Sequence, residues 1–160
     1  MKIELTILVE NTTSAMALIG EWGFSALITI DGYPLLFDTG HRDALFVNSA
    51  QLKMPLKDIE EIVISHGHYD HCGALVALLK QIGSRPVTAH PGIFVKRYSI
   101  GAGGHKLAVG CPFSEAEAAA AGAQFRYSVK PLEIRPGVYV PAEPLMKMWG
   151  GILQSSRART

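Results

Sequence analysis

Short apolar blocks alternate with polar and glycine-containing stretches along this chain, and their periods predict a mixed order of strands and helices. Residues 3–9 are β-branched and apolar in type and predict a strand, followed by a polar loop over 10–14. Residues 25–30 and 33–37 predict two further strands joined at Asp31-Gly32, a strong hairpin signal. Leu45, Phe46 and Leu52 fall at helical spacing and predict a helix over 44–52. A short apolar strand is expected over 59–64, then a helix over 74–81 stopped at Gly83, then a strand over 86–89. Residues 99–112 hold four glycines and read as a loop with a weak strand at 106–109. Ser114 and Glu117 have the spacing of a capping box and start a helix over about 115–122. Residues 132–134 and 138–140 predict a last strand pair around Arg135-Pro136-Gly137. Strands alternating with helices indicate an α/β fold, with α+β character in its hairpins. One domain is expected over 1–146, and residues 147–160, which lack a period, read as an irregular, disordered tail.

Composition narrows the picture only a little. The 160 residues are 48% hydrophobic with a net charge of +1, so no basic surface points to nucleic acid or to an anionic membrane. No apolar run approaches the roughly 20 residues of a membrane span, and the start of the chain lacks the order of a signal peptide. Cys72 and Cys111 are too few for a disulfide framework, and a cytoplasmic location is the simplest expectation.

The chemistry concentrates in Ser65-His66-Gly67-His68-Tyr69-Asp70-His71-Cys72-Gly73. Imidazole and carboxylate are good ligands for first-row metals, and zinc accepts both. His66 and His68 follow a predicted strand and can aim at one ion, while Asp70 and His71 sit at the turn into the next helix and can serve a second. A surface loop holding three histidines by chance is the bland alternative, and His-x-His-x-Asp-His at a strand-to-helix junction weighs heavily against it.

This motif resembles the signature of the metallo-β-lactamase superfamily. Leu36-Phe37-Asp38-Thr39-Gly40 is similar to the strand-Asp-x-Gly element that precedes the histidine loop in that family. Glu21-Trp22-Gly23-Phe24-Ser25, Ala89-His90-Pro91 and Lys96-Arg97-Tyr98 resemble the dihydropterin-(ribofuranosyl)aminobenzene-phosphate synthase-like branch. The resemblance implies a four-layer αβ/βα sandwich, of which this chain matches the N-terminal half only. It implies two divalent metal ions, zinc first, with manganese or iron as alternatives. His66 and His68 would bind one ion and Asp70 and His71 the other, with Asp38 orienting the loop from behind and Asp70 also holding the catalytic water. The implied activity is a metal-dependent hydrolase acting on a phosphate ester or related small molecule. Ligands expected from the second half of the family pattern have no counterpart after His71, since His90 and His105 stand in other contexts. A truncated, catalytically inactive metal-binding or interaction domain is therefore the alternative, and an exposed apolar face would favour a homodimer.

The remaining candidates are weaker. His90 and Arg97 are candidate substrate-binding residues, against the plainer readings of a strand-end cap and a solvated cation. His41 reads as a surface residue and Cys72 as a small buried one. Trp22 and Phe24 read as core or cleft wall. Gly101-Ala102-Gly103-Gly104 lacks the lysine and hydroxyl ending of a phosphate loop.

Overall fold

A computed structural model of the chain describes residues 1–101 and 103–141, and the expected tail over 147–160 lies outside the described residues. Its centre is a six-stranded sheet built from β1 (Ile3–Val9), β2 (Ser25–Ile30), β3 (Tyr33–Phe37), β4 (Glu61–Ile64), β5 (Arg85–Ala89) and β8 (Ala123–Tyr127), in that order across the sheet. β1, β2 and β3 form an antiparallel meander, and β3, β4, β5 and β8 run parallel. Asp31 and Gly32 both take positive φ (48° and 85°), as a tight hairpin joining right-twisted strands requires.

Three helices carry the chain between the parallel strands: α1 (Ala44–Gln51), α3 (Leu75–Ile82) and α4 (Glu115–Ala121). They share one face of the sheet. Leu45, Leu75, Leu78, Leu79 and Ala118 join Leu36, Ile62, Ile64, Val87 and Ala89 in a single buried cluster. Strands buried this way read as continuous apolar runs, which is why Ile62-Val63-Ile64 lacks alternation. α4 opens with the expected capping box, Ser114 and Glu117 bonding reciprocally, and closes on Gly122 in the left-handed region. On the sheet's other face, the hairpin of β9 (Leu132–Arg135) and β10 (Val138–Val140) places Leu132 and Val140 in the wall of a small cavity that Phe37, Val63 and Thr88 also line. Ile3, Leu5 and Ile7 form an exposed apolar row on the edge strand β1.

The structure departs from the sequence expectations in four places. β8 was not expected, because Ala123 follows an alanine run that merges with the helix before it. The weak strand expected at 106–109 is present as β7 (Lys106–Ala108), but it pairs with an unexpected strand, β6 (Tyr98–Ile100), so the glycines between them form the tip of a small hairpin. The turn after His68 is a short helix, α2 (Tyr69–Cys72). Trp22, expected in core or cleft wall, is 65% exposed, because Gly23 turns the chain away before Phe24 packs on Phe37.

One buried acid ties β8 into the sheet. Glu61 is 2% exposed and accepts hydrogen bonds from Thr88 on β5, from Tyr33 on β3 and from Arg126 on β8. A buried carboxylate that loses its charged partner keeps its desolvation cost with only the neutral hydroxyls of Thr88 and Tyr33 to offset it. Arg126→Ala is expected to lower the unfolding free energy by about 1–3 kcal/mol, read as a lower urea midpoint at constant slope. In a Glu61→Gln background, with no charge left to compensate, the same substitution should cost clearly less.

Candidate metal centre

The carboxyl ends of the parallel strands converge, as is usual for ligand sites on such sheets. Asp38 follows β3, Ser65 and His66 follow β4, and His90 follows β5. Asp38 leaves its strand in the left-handed region, with φ of 57°, a conformation uncommon for a residue with a side chain and held here by its surroundings. Its amide donates to the Val63 carbonyl (2.8 Å), and its carbonyl accepts from the Ser25 hydroxyl (2.8 Å).

The Asp38 carboxylate is buried and organises the loop. Oδ1 accepts from the Ser65 amide at 2.7 Å, and Oδ2 accepts from the Ser65 hydroxyl and from His71 Nδ1, each at 2.7 Å. Proton counting then fixes two imidazoles. An ionised carboxylate only accepts, so His71 carries its proton on Nδ1 and turns Nε2 the other way, 3.9 Å from Asp70 Oδ2. Ser65 has one O–H, which Asp38 uses, so its oxygen accepts from His66 Nδ1 at 2.9 Å. The lone pair of His66 Nε2 therefore faces His68 Nδ1, 3.0 Å away. The rings of His66 and His71 also lie close, with centroids 4.2 Å apart.

The electrostatics suit ligation. Burial, with the charges of His71, His68 and Arg97 adding to it, pushes His66 down to about 3, so its ring is neutral at ordinary pH. Burial also lowers His68. For His71 burial acts downward, but the hydrogen bond and charge of Asp38 outweigh it and the net shift is upward. Among the described residues no three His, Cys, Asp or Glu side chains form a ready-made metal cage. The donor chemistry nevertheless fits one. Two nitrogens on one tetrahedral zinc, each at about 2.0–2.1 Å, lie roughly 3.3 Å apart, close to the 3.0 Å between the His66 and His68 nitrogens. A carboxylate on the far nitrogen of a ligating histidine is the usual supporting arrangement, and Asp38 supplies it to His71.

The structure brings Asp38, His66, His68, Asp70 and His71 together and places the other candidates around them. His90 Nδ1 accepts from the Gly92 amide (2.9 Å) and caps a 3-10 turn, while its ring lines a small cavity that Ser65 also lines. The Arg97 guanidinium donates to the carbonyls of Gly92, Ile93, Val95 and, at 3.4 Å, Gly67. It thus clamps the 3-10 turn to the histidine loop. The fit there is tight: a Cβ on Gly67 would lie 1.8 Å from the Ile93 carbonyl oxygen. His41 stacks edge-on against Tyr69, with centroids 4.7 Å apart. Cys72 is fully buried.

Two contributors were not singled out in the sequence. Ser65 was read only as part of the motif, yet it relays Asp38 to His66. Glu21 accepts from the amides of His41, Arg42, Asp43 and Ala44 and so caps α1, which has no side-chain cap of its own. An uncapped helix start is a readable signal for such an acid, but spacing does not say which acid answers it.

The chain belongs to the metallo-beta-lactamase superfamily, whose profile matches residues 23–143. Among particular relatives, it is 36% identical over 78 residues to the 7,8-dihydropterin-6-methyl-4-(beta-D-ribofuranosyl)-aminobenzene-5'-phosphate synthase of Methanocaldococcus jannaschii, covering 45% of this chain and 26% of that one. It is 34% identical over 96 residues to an uncharacterized protein of the same organism, covering 59% of this chain and 37% of that one. Among solved structures, a metal-dependent hydrolase of the beta-lactamase superfamily superposes with a TM-score of 0.65 at 23% identity, covering 86% of this chain and 47% of that one. The metallo-beta-lactamase fold protein YhfI from Bacillus subtilis superposes with a TM-score of 0.51 at 17% identity, covering 84% and 50%. The chain thus spans well under two thirds of each of these proteins, and the two solved structures establish the fold alone. Among the described residues no helix is long and apolar enough to cross a membrane.

The proton accounting is open to direct measurement. Imidazole nitrogen NMR of the metal-free protein at mildly alkaline pH should show His66 and His71 both protonated on Nδ1. Ser65→Ala should return His66 to the Nε2–H form while leaving His71 unchanged. An Nε2–H signal for His66 in the unsubstituted chain would contradict the hydrogen-bond network described above.

Proposed function

We propose that this chain carries the metal loop of a hydrolase acting on a phosphate ester or related small molecule. His66 and His68 would hold one divalent ion and Asp70 and His71 a second, with zinc the first choice and manganese or iron the alternatives. When bound, such a pair polarises an ester and lowers the pKa of water to near neutrality. The chain's own residues do the rest. Asp38 fixes the protonated nitrogen of His71 directly and of His66 through Ser65. Asp70, at the start of α2, is the carboxylate available to accept a proton from attacking water. The Asp38 network is the observation that carries this reading, because a chance cluster of histidines has no need of a buried acid that sets their tautomers.

A second reading is a metal-binding or interaction domain without catalysis, because the chain spans only 47% of the metal-dependent hydrolase on which it superposes. Two measurements separate the readings. Protein purified without chelator should carry one or two divalent ions per chain by plasma mass spectrometry, and His66→Ala/His68→Ala should lose the ion that those two residues hold. Hydrolysis of bis-p-nitrophenyl phosphate with added zinc or manganese should then be detectable and be abolished by His68→Ala. Bound metal without turnover would support the second reading, and no bound metal would sink the first.

A further inference from the structure

The chain's two cysteines, 39 positions apart by number, meet beside the metal loop, and the backbone explains why. One turn of α2 returns Cys72 over His68, where its thiol donates to the His68 carbonyl at 3.1 Å. Across from His68 lies Gly110, joined to it as an antiparallel bridge, and the Tyr69 amide donates to the Val109 carbonyl at 3.2 Å. Cys111 is the next residue, so the bridge brings it to the turn that Cys72 closes, and both cysteines pack in the same apolar cluster. The two thiols differ in access. Cys72 is fully buried, whereas Cys111 is partly exposed and lines an open cleft with His41, Tyr69, Arg97 and Tyr98.

We propose that Cys72 and Cys111 form a reversible intramolecular disulfide, with a hydroperoxide as oxidant, that staples the metal loop to the segment around Gly110. The accessible sulfur reacts first. The Cys111 thiol takes the distal oxygen of the hydroperoxide, so that an S–O bond forms, the O–O bond breaks, and the alcohol (or water) leaves. The Cys72 sulfur then attacks the Cys111 sulfur. The S–S bond forms, the S–O bond breaks, and the departing hydroxide takes the Cys72 proton as water. Two thiols and one hydroperoxide thus yield one disulfide, one alcohol and one water. The α2 turn survives this change, because the His68 carbonyl still accepts from the amides of His71 and Cys72. Metal binding and catalysis play no part in the reaction, so its test is independent of the function proposed above.

The test uses the full chain, fully reduced and then treated with stoichiometric hydrogen peroxide. Free thiols are counted by maleimide labelling under denaturing conditions with intact-mass detection. Both thiols should disappear together from monomeric protein that is two hydrogens lighter, and dithiothreitol should restore both. Cys72→Ser should stop at a Cys111 sulfenic acid that dimedone traps, and Cys111→Ser should leave Cys72 unreacted in the folded state. Hydrogen exchange at the Tyr69 amide should be slower in the oxidised chain. Retention of both thiols, consumption of Cys111 alone in the unsubstituted chain, cross-linking between chains, or unchanged exchange at Tyr69 would overturn the proposal.

Discussion

The Asp38 carboxylate is the constraint on which the candidate site depends. It is buried at the end of β3, where an isolated charge would be strongly disfavoured; burial raises its carboxyl above the ordinary value, and three hydrogen bonds offset part of that cost. Each bond to a charged group contributes about 1.5–3 kcal/mol net, so the loop conformation that supplies all three is strongly selected over others. Those bonds reach Ser65 at the start of the loop and His71 at its end. The stretch between them, with His68 and Asp70, is thereby held at both ends. The unusual backbone of Asp38 fits the same account. Its φ of 57° is held by bonds to Val63 and Ser25 and aims the side chain into the loop.

The outer supports work on backbone rather than on ligands. Arg97 binds carbonyls on both sides of the Gly67–Ile93 contact, and Gly67 has no room there for a side chain. Gly23 plays a similar part on the other flank. A Cβ at that position would lie 2.3 Å from the Asp70 carbonyl oxygen, the same oxygen that accepts from the Phe24 amide at 3.2 Å. The segment Glu21-Trp22-Gly23-Phe24, which carries part of the family resemblance, thus has a physical reason for its composition. Glu21 caps α1, Gly23 admits the histidine loop, and Phe24 closes the packing against Phe37.

Local signals proved readable and tertiary ones did not. The Asp31-Gly32 turn, the Ser114–Glu117 capping box and the apolar run of β4 each follow from chemistry within a few residues, and each appears in the structure. The joining of Asp38 to the histidine loop was legible as well, though only through resemblance to a family pattern. β8 escaped because its stabilisation is remote. Arg126 reaches Glu61 across β5, and nothing in Ala123-Gln124-Phe125-Arg126-Tyr127 announces that partner. Arg97 escaped for a related reason. A cation beside a candidate site suggests an anion to bind, whereas this guanidinium is occupied by carbonyls from the turn it closes.

What the network achieves is a fixed tautomer for His66 and His71, while the contact with His66 Nε2 keeps the proton of His68 on Nδ1. Free imidazole distributes its proton between two nitrogens, and a histidine with the wrong one protonated presents N–H where a lone pair is needed. Burial of His66, which pushes it down to about 3, removes the further competition from a second proton. The same burial removes water from its ring, and the contact between His66 Nε2 and His68 Nδ1 compensates at 3.0 Å. That contact joins the two nitrogens that would hold a cation, so an ion bound there would replace the ring-to-ring hydrogen bond. The Asp38 bonds to Ser65 and His71 use neither of these nitrogens. A site built this way can rearrange at its mouth while its base stays fixed, because the groups that move are not the groups that hold the loop.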